Sequence, residues 1–155
     1  MIKDMSKQLA VGILERGNKM EKRKILIVED MGRALRSLRS AVGDTLPNSE
    51  VDEARSYYSA KNIIMQNNYD LVLLDDRMPY NDLVELEQSD PKEYSNHLES
   101  LGYSLAPEIR KRNPNAIIIG TSSDAMGVDS LDETVKKWDV EDKINELKKL
   151  GRICN

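Results

Sequence analysis

The chain has 155 residues, with 39% hydrophobic and 32% charged side chains, which fits one globular domain and excludes a chain disordered throughout. Twenty-three Lys and Arg against 27 Asp and Glu give a net charge of −4, so nucleic acid is not an expected partner. One cysteine (Cys154) and one histidine (His97) exclude an internal disulfide and a Cys/His zinc site, and the early apolar run at 9–14 is too short for a membrane span. We expect a cytoplasmic protein with no membrane partner.

Strand and helix patterns alternate along the chain. Residues 1–22 form an N-terminal extension that is either an added helix or a linker. The predicted strands are 24–28, 50–54, 70–76, 116–119 and 134–135, and helical apolar spacing fills most of the intervals. A last helix runs from an N-cap at Asp139 to a stop at Gly151. This alternation predicts an α/β protein with a doubly wound, five-stranded parallel sheet.

Polar residues follow several of these strands at the point where each strand ends. In an open α/β sheet these ends share one edge, where ligands bind. The residues gathered there, beside a lysine, are Glu29, Asp30, Asp75, Asp76, Thr121 and Ser122. Converging carboxylates call for a cation, and Mg2+ takes one or two of them, which Asp30 and Asp75 can supply. Such an aspartate is a plausible nucleophile towards a phosphoryl group, whose oxygens a hydroxyl and a lysine would hold.

Four motifs resemble the CheY-like response regulator receiver family. They are Ile-Leu-Ile-Val-Glu-Asp at 25–30, Asp-Leu-Val-Leu-Leu-Asp-Asp-Arg-Met-Pro at 70–79, Gly-Tyr-Ser-Leu-Ala-Pro-Glu-Ile-Arg at 102–110 and Ile-Ile-Gly-Thr-Ser-Ser at 118–123. The resemblance covers residues 23–151, which implies a flavodoxin-like receiver domain followed by a tail at 152–155. It also implies a stand-alone, two-component signalling protein that is not an enzyme. Its partners would be a histidine kinase or histidine phosphotransfer protein and an unknown downstream protein.

The same resemblance assigns roles around the acidic residues. Asp75 matches the phosphoacceptor, because Met-Pro follows it at the family's offset. Asp30 matches the direct Mg2+ ligand, and Glu29 is expected to act through water. The main-chain carbonyl of Arg77 matches the third protein ligand.

Two further positions keep an alternative. The switch hydroxyl is Ser122 or Thr121, and matching residue types along the motif favours Ser122. The lysine is Lys137 or Lys136, and counting back from the last helix favours Lys137.

Two segments depart from the family pattern. Residues 80–101 form an insertion, and Asp90, Pro91 and Glu93 predict the start of an extra helix between strand 3 and helix 3, with Tyr94, Leu98 and Leu101 on one face. Lys137 follows Ser122 by only fifteen positions, which predicts a reduced helix 4. In that segment, Asp124 is expected to pair with Arg77. The pair would restrict the water that hydrolyses the phosphorylated aspartate and so prolong the phosphorylated state.

Two rival functions come from other classes. An aspartate-dependent phosphatase is disfavoured, because such enzymes carry a second aspartate where this chain has Arg77. The stronger alternative is an unphosphorylated, receiver-like module that binds a protein.

Overall fold

One parallel sheet forms the centre of the protein. The computed structural model describes residues 22–122 and 130–154. Within them the sheet strands are β1 (Arg23–Val28), β2 (Ser49–Ala54), β3 (Leu71–Leu74), β6 (Ile117–Gly120) and β7 (Glu133–Thr134). Their order is β2-β1-β3-β6-β7, with every neighbouring pair parallel. The predicted five-stranded parallel sheet is therefore confirmed.

α1 (Gly32–Thr45) and α6 (Val140–Lys149) cover one face of this sheet, and α2 (Tyr57–Gln66) and α5 (Ala106–Arg112) cover the other. Two short helices, α3 (Val84–Ser89) and α4 (Pro91–Ser95), lie in the segment between α2 and α5. Two 3-10 turns lie at Gly102–Leu105 and Lys137–Asp139, and a small antiparallel pair joins β4 (Arg77–Met78) to β5 (Glu99–Ser100). None of the helices in the described ranges is long and apolar enough to cross a membrane.

The side chains of β1 alternate between two apolar cores. Ile25 and Ile27 belong to the core that contains the buried residues of α1 and α6, and Leu26 and Val28 belong to the core beneath α2 and α5. All four are fully buried. A strand covered on both faces has no solvent side, which explains why β1 and β3 are continuous apolar runs in the sequence.

The helix predicted within 80–101 begins where expected but is short. The Asp90 carboxylate accepts a hydrogen bond from the Glu93 N–H at 3.1 Å, and Pro91 occupies the first turn. The helix ends at Ser95, so the prediction that it continues to Leu101 is wrong. Its last turn tightens, and Leu101 N–H donates instead to the Asp76 carbonyl at 3.0 Å. A second short helix, α3, precedes it.

The two ends of the last helix differ in how well they were predicted. Asp139 precedes α6, but its side chain makes no cap hydrogen bond, because the 3-10 turn leads directly into the helix. Gly151 follows α6 with a φ of 71°, a left-handed conformation that suits glycine at a helix end. Beyond it Ile153, in the predicted tail, is buried in the α1/α6 core. Three predictions fall outside the described residues. They are the extension at 1–22, of which only Lys22 is described, most of the reduced helix 4, and the pairing of Asp124 with Arg77.

Candidate functional site

Three buried carboxylates meet at the carboxyl edge of the sheet. Glu29 and Asp30 follow β1, and Asp75 follows the neighbouring strand β3, so the parallel register brings them together. They are 0%, 3% and 5% exposed, respectively. One oxygen from each lies within 4.8 Å of the others. Clustered hard oxygen ligands that are buried and anionic suit a small divalent cation such as Mg2+.

Lys137 lies directly against two of these carboxylates. Its Nζ is 2.7 Å from Glu29 Oε2 and 3.3 Å from Asp75 Oδ2. The alternative lysine, Lys136, places its ammonium 5.4 Å from the centre of the Trp138 ring instead. Of the two candidate lysines, Lys137 is thus the one whose ammonium lies at the acidic cluster.

Burial dominates the acid–base behaviour of this cluster. It raises the pKa of Asp75 to about 6, against the lowering effect of Lys137. Burial and the charge of Asp75 raise the pKa of Glu29 to about 8. Burial would lower the pKa of Lys137, but Glu29 and Asp75 together raise it. Glu29 and Asp75 thus retain protons more readily than exposed acids, and a bound cation would favour their ionised forms.

The strand register decides which hydroxyl lies beside Asp75. Leu74 pairs with Gly120, and Thr121 N–H donates to the Leu74 carbonyl at 2.9 Å, so Thr121 is level with Asp75. The Thr121 hydroxyl is buried and has no hydrogen-bond partner among the described residues. Ser122 lies one position further on, where its N–H donates to the Tyr103 hydroxyl at 3.0 Å. This placement favours Thr121, the alternative in the sequence prediction, over Ser122.

The backbone carbonyl of Arg77 is the remaining ligand candidate. The Asp76 carbonyl accepts a hydrogen bond from the Leu101 N–H. Hydrogen-bonded and non-hydrogen-bonded pairs alternate along an antiparallel ladder, so the next pair, Arg77 and Ser100, has no mutual backbone hydrogen bonds. This pattern directs the Arg77 carbonyl away from β5. Its side chain is exposed and donates to the Leu98 carbonyl at 3.2 Å.

Comparison with known proteins gives one consistent result. The sequence matches no protein-family model and no curated protein. The response regulator TrrA from Thermotoga maritima, solved in complex with Mg2+-BeF, is 26% identical, with a TM-score of 0.58 over 83% of this chain and 98% of that one. A two-component response regulator from Clostridium difficile is 19% identical, with a TM-score of 0.60 over 86% of this chain and 99% of that one. A CheY-like receiver from Methanospirillum hungatei is 18% identical, with a TM-score of 0.53 over 84% of this chain and 100% of that one.

This chain has the fold of a CheY-like response regulator receiver domain. The resemblance that the four sequence motifs suggested is thus confirmed.

Tyr94 is a site residue that the sequence did not reveal. Its ring is 3% exposed, and its hydroxyl donates to Asp30 Oδ2 at 2.5 Å. In the sequence Tyr94 lies among apolar residues at helical spacing, which indicated a structural role alone. Because 64 positions separate it from Asp30, no local pattern links the two.

Asp76 is the second residue whose hydrogen bonds the sequence did not reveal. Its side chain accepts hydrogen bonds from the Tyr103 N–H at 3.1 Å and from the Ser100 hydroxyl. Its carbonyl accepts from the N–H groups of Leu101 and Gly102 at 3.0 and 2.9 Å. Asp76 therefore fastens the returning chain to the end of β3.

Proposed function

We propose that this protein is the receiver of a two-component phosphorelay, and that Asp75 accepts a phosphoryl group from a histidine kinase or histidine phosphotransfer protein. The observation that carries the proposal is the buried cluster of Glu29, Asp30 and Asp75, with the Lys137 ammonium 3.3 Å from Asp75. In this proposal residues 23–151 make up the receiver domain, and it acts in the cytoplasm.

The donor set fits a bound Mg2+. Asp30 and Asp75 would contribute carboxylate oxygens, Arg77 its main-chain carbonyl, and Glu29 would act through water. When bound, the ion would neutralise part of the charge on the phosphoryl group and on the acidic cluster. The buried carboxylates supply the evidence for this fit, because their mutual repulsion is only partly offset by Lys137.

The chain's own side chains would then perform the transfer. A carboxylate oxygen of Asp75 attacks phosphorus, so a new O–P bond forms while the bond to the donor's histidine nitrogen breaks. The Asp76 N–H already donates to Asp75 Oδ1 at 2.9 Å, which orients the carboxylate. Lys137 and the hydroxyl of Thr121 would hold the phosphoryl oxygens by charge and by hydrogen bond. The added charge of about −2 would change the surface that a downstream protein reads.

Intact-protein mass spectrometry after incubation with acetyl phosphate and Mg2+ tests the acceptor. We expect the mass of one phosphoryl group on the wild-type protein and on Asp142→Asn, which removes an exposed aspartate of α6. Asp75→Asn and a chelator control should show none. An adduct on Asp75→Asn, or no adduct on the wild type, would contradict the proposal, and the second outcome would favour the unphosphorylated binding module.

The same assay, followed over time, separates the two hydroxyl candidates. If Thr121 holds a phosphoryl oxygen, Thr121→Ala should slow the appearance of the adduct by about tenfold or more, since one preorganised donor is lost. Ser122→Ala serves as the matched control and should react at the wild-type rate. The reverse result would restore Ser122 as the switch hydroxyl.

A further inference from the structure

Helices α3 and α4 fasten themselves to the loop that follows β1. The Glu87 side chain of α3 accepts a hydrogen bond from the Gly32 N–H at 3.0 Å and pairs with the Arg55 guanidinium. Arg55 also donates to the Asp30 carbonyl, at 3.1 Å from Nε and 2.9 Å from Nη2. The segment after β4 is therefore held against the backbone of an acidic-site residue from outside the sheet.

Tyr94 of α4 adds a contact to the Asp30 side chain itself. Its hydroxyl donates to Oδ2 at 2.5 Å, whereas Oδ1 accepts no hydrogen bond from the described residues. One carboxylate oxygen is thus committed to the protein and the other is available to a ligand. A hydrogen bond of this kind fixes the rotation of a ligating carboxylate.

We propose that Tyr94 is a positioning residue that raises the affinity of the acidic site for a divalent cation by holding the Asp30 carboxylate in place. The inference rests on the proposed function, because it takes Asp30 as a metal ligand. On this proposal, the segment between β4 and β5 holds a metal ligand in place through the contact of Tyr94 with Asp30.

The chemistry of the tyrosine suits this task. The hydroxyl of a tyrosine is a hydrogen-bond donor, and an ionised carboxylate is an acceptor only, so the contact with Asp30 is a charge-assisted hydrogen bond. The ring is buried and the surrounding segment is fastened by Glu87, so the hydroxyl is held in one position.

The chain offers a closely matched control. Tyr69 is 2% exposed, and its hydroxyl donates to Asp52 Oδ2 at 2.6 Å. It precedes β3, at the opposite end of that strand from Asp75. Tyr69→Phe therefore removes a part-buried hydroxyl–carboxylate bond of the same chemistry without touching the acidic site.

Binding of Mn2+, measured from the electron paramagnetic resonance signal of the free ion, tests the inference. We expect Tyr94→Phe to bind Mn2+ about tenfold more weakly than the wild type, as is usual when the support of a metal ligand is lost. Tyr69→Phe should bind with wild-type affinity, while both variants lower the thermal midpoint. Supplying Mn2+ in excess should restore occupancy in Tyr94→Phe.

Other outcomes would overturn the inference in different ways. Unchanged affinity in Tyr94→Phe would show that the hydroxyl does not support the ligand, and tighter binding would show that it competes with the ion. Equal weakening in both variants would show a general loosening of the fold. If the wild type itself binds no Mn2+, the metal ligands of the proposed function fail, and the inference fails with them.

Discussion

The close approach of Gly102 to the backbone of Asp75, at the end of β3, predicts a large effect for Gly102→Ala. A Cβ at this position would overlap the Asp75 carbonyl oxygen and would lie 2.8 Å from its carbonyl carbon and 2.7 Å from Met78 Cε. The methionine methyl group can move aside, but the backbone of Asp75 is fixed by the sheet. The alanine must therefore push the returning chain away from the end of β3.

The cost follows from what that movement breaks. Overpacking in a tightly packed region costs about 1–3 kcal/mol. The N–H groups of Leu101 and Gly102 donate to the Asp76 carbonyl, and loosening both bonds adds about 1 kcal/mol each. We expect the free energy of unfolding to fall by about 3–5 kcal/mol, a large share of the roughly 5–15 kcal/mol of an ordinary domain.

Equilibrium denaturation in urea, with Gly43→Ala as control, measures this loss. Gly43 lies in α1, and a Cβ there would meet nothing within 4 Å. Alanine at that position should stabilise the protein by up to about 1 kcal/mol through helix propensity. Opposite signs for the two substitutions are expected, and a Gly102→Ala variant as stable as the wild type would refute the steric argument.

Two further predictions concern the acidic cluster and the segment fastened to it. In the folded, metal-free protein Glu29 (pKa about 8) and Asp75 (pKa about 6) retain protons at pH values where the unfolded chain has lost them. The free energy of unfolding should therefore fall as pH rises from about 4 to 8, by at most about 1.4 kcal/mol per pH unit for each proton. Urea titrations across this range should show a shallower slope for Glu29→Gln, and stability that rises with pH would contradict the prediction. Glu87→Ala removes the contacts to Arg55 and Gly32, so trypsin should cleave faster after the exposed Lys92, as measured by mass spectrometry. An unchanged cleavage rate would show that Glu87 does not hold the segment.

Most of the sheet could be predicted from the sequence, because buried parallel strands leave a distinct signal. The apolar run at 24–28 is followed by two carboxylates, and the run at 70–76 ends in two. The structure has strands at Arg23–Val28 and Leu71–Leu74. The end of α4 could not be predicted in the same way. It depends on Leu101 donating to the Asp76 carbonyl, a contact between residues far apart in the sequence.

The acidic residues of the site could be predicted for a similar reason. Glu29, Asp30 and Asp75 follow neighbouring strands, so topology alone brings them to one edge. The contact of Tyr94 with Asp30 requires the path of the chain after β4, which local periodicity does not encode. The choice between Thr121 and Ser122 required the register of β6 against β3, which residue types along one motif do not provide.

The hydrogen bonds of Asp76 also mean that the position of the sheet does not depend on the length of the loop between Asp76 and Leu101. Chain leaves the end of β3 at Asp76 and returns to the same residue at Leu101 and Gly102, so the two ends of a long loop are tied together at its base. Lengthening such a loop costs little, about 0.6 kcal/mol for each doubling. Residues could therefore be added between α3 and α4 without displacing the backbone of Asp75. The base of the loop keeps β3 in register, and only the contact between Tyr94 and Asp30 would depend on what was inserted.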